Sequence, residues 1–231
     1  MTSHALITVF DQFAATVLLA IGALLPIVDP LGGAPIYLAM TGNLAPADRY
    51  RVAKAVAVNS FLLLIASTLA GAYVLDFFGL SIPAVQIAGG IVVCAIAWSL
   101  LNRPNAPSGL AREDASLKSS DELGQSAFYP LTMPLTVGPG SISVALTLGA
   151  NPEKHMRPLV VTALGHLLGI LIVSLAVYLC YRYADVIIRK LGPIGTSVVI
   201  RLSAFILLCI GVQICWNGVH ALLVATFPVA S

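Results

Sequence analysis

Charged side chains are spaced so widely along this chain that five long stretches carry none: Ala55 to Leu75, Phe77 to Leu101, Leu123 to Pro152, Pro158 to Tyr181 and Leu202 to Ser231. Each is long enough to cross a hydrocarbon core about 30 Å thick as a helix. A sixth apolar stretch begins at Gln12 and is interrupted once, by Asp29. The pattern predicts an all-α integral membrane protein with six transmembrane helices, three in each half of the chain.

Two of the six are not expected to be unbroken. Pro26, Pro30 and Pro35 lie in LLPIVDPLGGAPIYLAM, and Pro130, Pro134 and Pro139 lie in FYPLTMPLTVGPGSISVAL; all three repeat at one offset of 104 residues, and Leu31 matches Leu135 at that offset. Duplication is the simplest reading. Proline removes a backbone donor and clashes with the preceding turn, and Gly32, Gly33, Gly138 and Gly140 add conformational freedom beside each cluster. In lipid, freed backbone groups are tolerated only where they are buried in protein or line a wet cavity. Two matched breaks, in helices one and four, therefore predict a cavity near the membrane middle, as transporters have. The null is that the prolines only kink helices for packing; its weight falls when the motif occurs twice. Further along, IPAVQIAGGIVV and SVVIRLSAFILL align weakly, pairing Gln86 with Arg201 and Gly89 with Ala204.

Composition sharpens the class. Charged residues make up 10% of the chain, hydrophobic residues 58%, and the mean hydropathy is +0.96; soluble domains carry about 25% charge. The net charge of +2, without a basic cluster or stacking motif, excludes nucleic acid as a partner. Cys94, Cys180, Cys209 and Cys215 all fall in predicted spans without metal-ligand spacing and read as small packing residues. The opening MTSHALITVFDQF has no Lys or Arg before the apolar stretch and no convincing cleavage site, so the first span is expected to be retained.

Orientation follows from the cations. Arg49, Arg51 and Lys54, then Arg103, Arg112 and Lys118, then Arg182, Arg189 and Lys190 flank one set of loops, against only Lys154 and Arg157 on the other. The positive-inside rule puts the first set in the cytoplasm and both termini outside. Three spans per half then make the second half enter from the opposite side, giving two inverted three-helix repeats: residues 1–101, a polar cytoplasmic linker over 102–123, and residues 124–231.

The strings DPLGGAPIYLAMTGNL, FYPLTMPLTVGPGSISVALTLGA, QIAGGI and VIRLSAFILLCIGVQ together resemble the MarC family of bacterial and archaeal membrane proteins. The likeness covers nearly the whole chain. It implies a six-span inner-membrane protein similar in organisation to the amino-acid exporters of the LysE superfamily, with an archaeal relative regarded as a carrier of small neutral amino acids. The family usually has Asn where this chain has Asp29, and tends to have Arg at the position of Gln86.

The residues argue for a site on their own. A helix broken in mid-membrane presents unpaired N–H groups on one half, which attract a carboxylate, and unpaired C=O groups on the other, which attract an ammonium. Zwitterions suit such a place. The candidate substrate-binding residues are Pro30, Gly32, Gly33 and Pro35 at the first break, and Thr132, Pro134, Thr136, Gly138, Pro139, Gly140 and Ser141 at the second. Asp29 either carries a coupling proton or caps the following helix. Arg201 either neutralises Asp29 or a substrate carboxylate, or snorkels to the cytoplasmic face. His166 and Asn59, at comparable depths in spans five and two, are further candidates for proton or ion coupling that either line the cavity, His166 then as a proton relay, or bond a neighbouring helix. Trp98, Trp216, Tyr178, Tyr181 and Tyr183 lie mostly near span ends, as interfacial anchors do.

The reading is a secondary transporter of small neutral amino acids or similar metabolites, with proton coupling as an addition. No cofactor or metal is expected, and the partners are a small-molecule substrate and the lipid bilayer, a homo-oligomer being compatible. The rivals are a channel-like or lipid-handling protein, and an intramembrane enzyme. An enzyme would need a nucleophile with its base or a metal cluster, and the chain offers neither HExxH nor a convincing Ser–His pair.

Overall fold

The computed structural model describes residues 2–102, 126–150 and 159–226, and these residues are helical with no strand among them. The elements are α1 (Thr2–Val28), α2 (Pro30–Thr41), α3 (Pro46–Phe78), α4 (Ile82–Leu101), α5 (Ala127–Thr136), α6 (Pro139–Ala150), α7 (Leu159–Arg182) and α8 (Ala184–Thr226). Five apolar spans are long enough to cross a membrane, and α5 with α6, bent by 72° at their junction, make a sixth if taken as one. The linker expected over 102–123 lies, except for Asn102, outside the described residues, as do Lys154 and Arg157.

Local chemistry explains where the helices start and stop. Pro46 opens α3, where its missing N–H costs nothing. The same helix ends at Gly79, whose φ of 63° only glycine adopts cheaply, with Leu80 N–H returning 2.9 Å to Leu75 O. Ser81 then caps α4 through Ala84 N–H. Within α8, Gly192 takes φ 66° and ψ 179° ahead of Pro193, so the segment 184–191 is set off from the long span that follows.

The two proline breaks are unlike, which the matched spacing does not foretell. At the first, only Asp29 leaves the helix, with φ 42° and ψ 65°; Pro26 and Pro35 sit inside α1 and α2, and the two helices together form the single span Val9–Thr41. The backbone ladder nearly closes across it, Asp29 N–H reaching Leu25 O and Gly33 N–H reaching Asp29 O, each at 3.0 Å. At the second, Tyr129 and Met133 are extended, each forced from helical ψ by the proline that follows, and the bonds to Pro130 and Pro134 are cis. None of the glycines at either break has positive φ; their use is close approach.

Helix packing runs in pairs. α4 lies along α8, α1 along α7, α3 against both α6 and α7, α4 against α6, and α2 against α8. The crossing of α4 with α8 is antiparallel and reciprocal. A Cβ on Gly90 would lie 2.5 Å from Cys215 Sγ and 2.7 Å from Gly211 O, and one on Gly211 would lie 2.7 Å from Cys94 Sγ and 3.0 Å from Gly90 O. Cys94 and Cys215 are packing residues here, as their placement in spans implies. The main core, with Leu24, Leu64, Leu131, Ile170 and Val177 fully buried, sits between α1, α3, α5 and α7.

Glycines hold helices close at one end of the bundle. A Cβ on Gly71 would lie 2.5 Å from Leu146 O, one on Gly149 would lie 1.9 Å from Thr68 O, and one on Gly165 would lie 2.8 Å from Thr16. These positions all belong to the end that holds the α3–α4 turn and the α6–α7 connection.

Candidate functional site: a cavity between the two proline segments

The end of the bundle that carries Met40, Leu100 and Ser126 holds an open cavity of about 1020 Å³. One wall is the α1–α2 junction, with Ile27, Asp29, Gly32 and Gly33; the second is the α5–α6 bend, with Pro130, Pro134, Thr136, Gly138, Gly140 and Ser141; the third is a face of α4 from Ile91 to Leu100. Ser99, Ser126 and Met40 lie on it toward the linker end.

Each wall owes its shape to sequence. Asp29 caps α2, its Oδ1 accepting from Gly32 N–H at 3.0 Å, and the Ser203 hydroxyl is a second partner. Asp tolerates the left-handed conformation because its short side chain bonds the backbone locally. Gly32 is needed there, since a Cβ would stand 2.1 Å from the Asp29 carboxylate. Opposite, α6 starts with Pro139, and its first backbone bond is Ile142 N–H to Gly138 O at 3.1 Å. The N–H groups of Gly140 and Ser141 therefore precede the ladder and mark a positive helix end. Ser141 is 2% exposed. A Cβ on Gly140 would meet Val93 Cγ2 at 2.3 Å, so glycine lets α6 lie against α4.

One buried tyrosine joins the walls. Tyr181 stacks on Tyr37 and its hydroxyl lies 2.9 Å from Thr136 Oγ1, while a Cβ on Gly33 would come within 2.7 Å of that hydroxyl. Thr136 also donates to Leu131 O at 2.7 Å. Below the stack the Tyr37 hydroxyl donates to Arg49 O at 2.6 Å. The Arg49 guanidinium pairs with Asp185 and points Nε at Thr41 O. Arg182 lies over the Tyr50 ring, 4.5 Å from its centroid. The loop after α2 and the start of α8 are thus fastened together at the linker end.

Of the residues expected at the site, Asp29, Gly32, Gly33, Pro134, Thr136, Gly138, Gly140 and Ser141 line the cavity. Pro30, Pro35, Thr132 and Pro139 do not: Pro30 is buried in the first turn of α2, the Thr132 hydroxyl donates to Ala127 O, and Pro139 faces outward. Arg201 is exposed, and Ser203, two residues on, is a hydrogen-bond partner of Asp29. Asn59 is half-buried on α3 and His166 buried on α7, and neither is among the lining residues. Tyr181, expected as an interfacial anchor, is 1% exposed and lies in the core. Its place at the end of a span gives no hint of that. The pairing of Arg49 with Asp185 was equally invisible, because it joins residues 136 positions apart.

The family model for "MarC family integral membrane protein" matches residues 14–223. Among curated proteins, the chain is 34% identical over 209 residues to the "UPF0056 inner membrane protein MarC" of Salmonella paratyphi A, covering 87% of this chain and 92% of that one. It is 34% identical over 208 residues to the protein of that name from Citrobacter koseri, and 32% over 209 residues to that of Escherichia coli O1:K1 / APEC, each with the same coverage. No solved structure matches.

Proposed function

The chain belongs to the MarC family of integral membrane proteins, and from that premise we propose that it is a secondary transporter of small neutral amino acids or similar small metabolites, not an enzyme. The observation that carries this reading is the cavity: a carboxylate acceptor at one helix junction and an uncapped helix start at another face the same space. Such a pair of poles suits a zwitterion.

Alternating access asks for two halves that can exchange roles. Helix pairing supports that arrangement. Exchanging the first span with the fourth, the second with the fifth and the third with the sixth turns the α1–α7 contact into α3 with α5–α6, and the α4–α6 contact into α2 with α8. The α4–α8 crossing is reciprocal, Gly90 against Cys215 and Gly211 against Cys94, although this pairs Gly90 with Gly211 and is not in the register of the weak alignment of Gln86 with Arg201. Such reciprocity is what a pseudo-two-fold axis in the membrane plane produces. The cation count puts the linker end in the cytoplasm and both termini outside; the cavity then opens inward, and the glycine contacts between α3 and α6 seal the outer half.

Counterflow in proteoliposomes tests the proposal. Preloaded unlabelled neutral amino acid should drive transient, saturable accumulation of the labelled one. Flux that neither saturates nor shows counterflow would favour a channel-like protein. A lipid-handling role has one observation in its favour, the apolar face of α4 with Ile91 and Ile96 partly exposed beside the cavity.

A further inference from the structure

The cavity also speaks to which neutral amino acid, an inference that rests on the transporter reading above and replaces its small side chains with larger apolar ones. We propose that the preferred substrate has a branched or aromatic side chain, with its ammonium at Asp29, its carboxylate at the start of α6, and its side chain along α4.

Three features carry this. The first is charge. Asp29 is the one formally charged side chain among the described lining residues, and it is half-buried with Gly32 N–H and Ser203 as its partners. A carboxylate with open lone pairs, facing a cavity whose described lining carries no Lys or Arg, favours a protonated amine over an acid. The second is the opposite pole. The helix start at Gly140 and Ser141 supplies backbone donors, and the Ser141 hydroxyl lies in a residue 2% exposed. No hydrogen bond among the described residues engages that hydroxyl, whereas those of Thr132, Thr136 and Ser143 are all committed. A carboxylate there gains an aligned donor set that α2 lacks, because Asp29 already occupies the start of α2.

The third feature is the remainder. Beyond these two poles most of the wall is aliphatic, with Ile27, Ile36, Ile91, Val93, Ile96 and Leu207, while Ser99 and Ser126 lie toward the linker end. The volume of about 1020 Å³ stands at the top of the ~300–1,000 Å³ range usual for small-molecule sites. Glycine or alanine would leave that wall wet. Each methylene buried on it is worth about fourfold in affinity, so leucine or phenylalanine should exceed alanine by roughly tens-fold.

The test is ligand-induced thermal stabilisation of the purified full chain in detergent, run beside counterflow. Leucine and phenylalanine should bind tens-fold more tightly than alanine and glycine. Isoamylamine, which lacks the carboxylate, and 4-methylpentanoic acid, which lacks the amine, should each bind at least tenfold more weakly than leucine, the acid the weaker of the two. Ile96→Trp fills the α4 wall and should remove the preference for leucine over alanine. Equal affinity for alanine and leucine, or no stabilisation by any amino acid, overturns the proposal. So does 4-methylpentanoic acid or a fatty acid binding as tightly as leucine, which would make the cavity an acyl-chain site. Counterflow of alanine with none of leucine overturns the inference and leaves transport standing. Leucine binding with the stated order but no counterflow of any amino acid keeps the inference and overturns transport.

Discussion

Tyr37 and Tyr181 lie face to face between the two proline segments, ring centroids 4.5 Å apart and planes 13° from parallel. Each is fully buried or nearly so, and each uses its hydroxyl: Tyr37 on Arg49 O, Tyr181 with Thr136. Because Tyr37 belongs to α2 and Tyr181 to α7, the stack ties the first half of the chain to the second directly beneath the cavity.

Tyr181→Phe keeps the stack and deletes one hydrogen bond. Thr136 keeps its bond to Leu131 O, so no buried donor is orphaned, and the loss should be about 0.5–1.5 kcal/mol. Thermal unfolding in detergent measures it. Tyr181→Ala should cost about 3–5 kcal/mol as a buried cavity. If the phenylalanine variant loses as much as the alanine variant, the hydroxyl has a larger role than this geometry gives it.

The pair Arg49 and Asp185 should respond asymmetrically. Arg49 is 12% exposed at its side chain and also reaches Thr41, Gly42 and Leu44 carbonyls, while Asp185 is 39% exposed and has this one ion pair. Asp185→Asn keeps a hydrogen-bond acceptor and loses a half-exposed pair, worth about 0–1 kcal/mol. Arg49→Ala strips several carbonyls of their donor and should cost about 2–3 kcal/mol. Melting curves of the two variants, read together, check the order; equal losses would mean that the ion pair alone fastens the loop.

Glycine substitutions should divide by what the new Cβ meets. At Gly149 it meets backbone, Thr68 O at 1.9 Å, so Gly149→Ala must push α3 from α6 and should lower the folded yield. A Cβ at Gly140 meets the buried Val93 side chain at 2.3 Å, so Gly140→Val should spread α6 from α4, crowd the cavity wall and abolish counterflow, with a smaller loss of folded yield than Gly149→Ala. Gly138→Ala brings its Cβ to 3.2 Å from Pro134 O and has no positive φ to strain, so it should keep most of its activity. Membrane yield and counterflow measured on the same preparations separate the three.

What the sequence tells of this molecule depends on whether the signal is local. Span positions follow from runs without charge, and the proline offset marks the two segments that line the cavity, because membrane solvation and proline sterics act within a few residues. The unequal shape of the breaks was hidden: Asp29 accommodates the first within one residue, while extended backbone at Tyr129 and Met133 bends the second by 72°. Partners set by tertiary packing leave no periodic trace. Ser203 and the α4 wall read as ordinary span residues and Tyr181 as an interfacial anchor, while the charge of Arg201 stands out beside Ser203.

Asp29→Asn separates the two roles open to the carboxylate. As a cap, asparagine serves about as well as aspartate, tolerates the left-handed φ of 42°, and can accept from Gly32 N–H in the same way. Stability should therefore change by less than about 0.5 kcal/mol, whereas Asp29→Ala, which loses the cap and strains the backbone, should cost about 2 kcal/mol. Proton coupling makes a different demand, since an amide takes up no proton in this pH range. If Asp29 carries the coupling proton, the asparagine variant should exchange substrate at equal internal and external pH, within the limits set by its weaker hold on the ammonium, yet show no extra accumulation when a pH gradient is applied. The measurement is gradient-driven uptake against exchange in wild type and variant, with the alanine variant as the control for lost structure. Uptake that still follows the gradient in Asp29→Asn assigns the residue to capping and substrate binding alone, and moves the search for a coupling group elsewhere in the bundle.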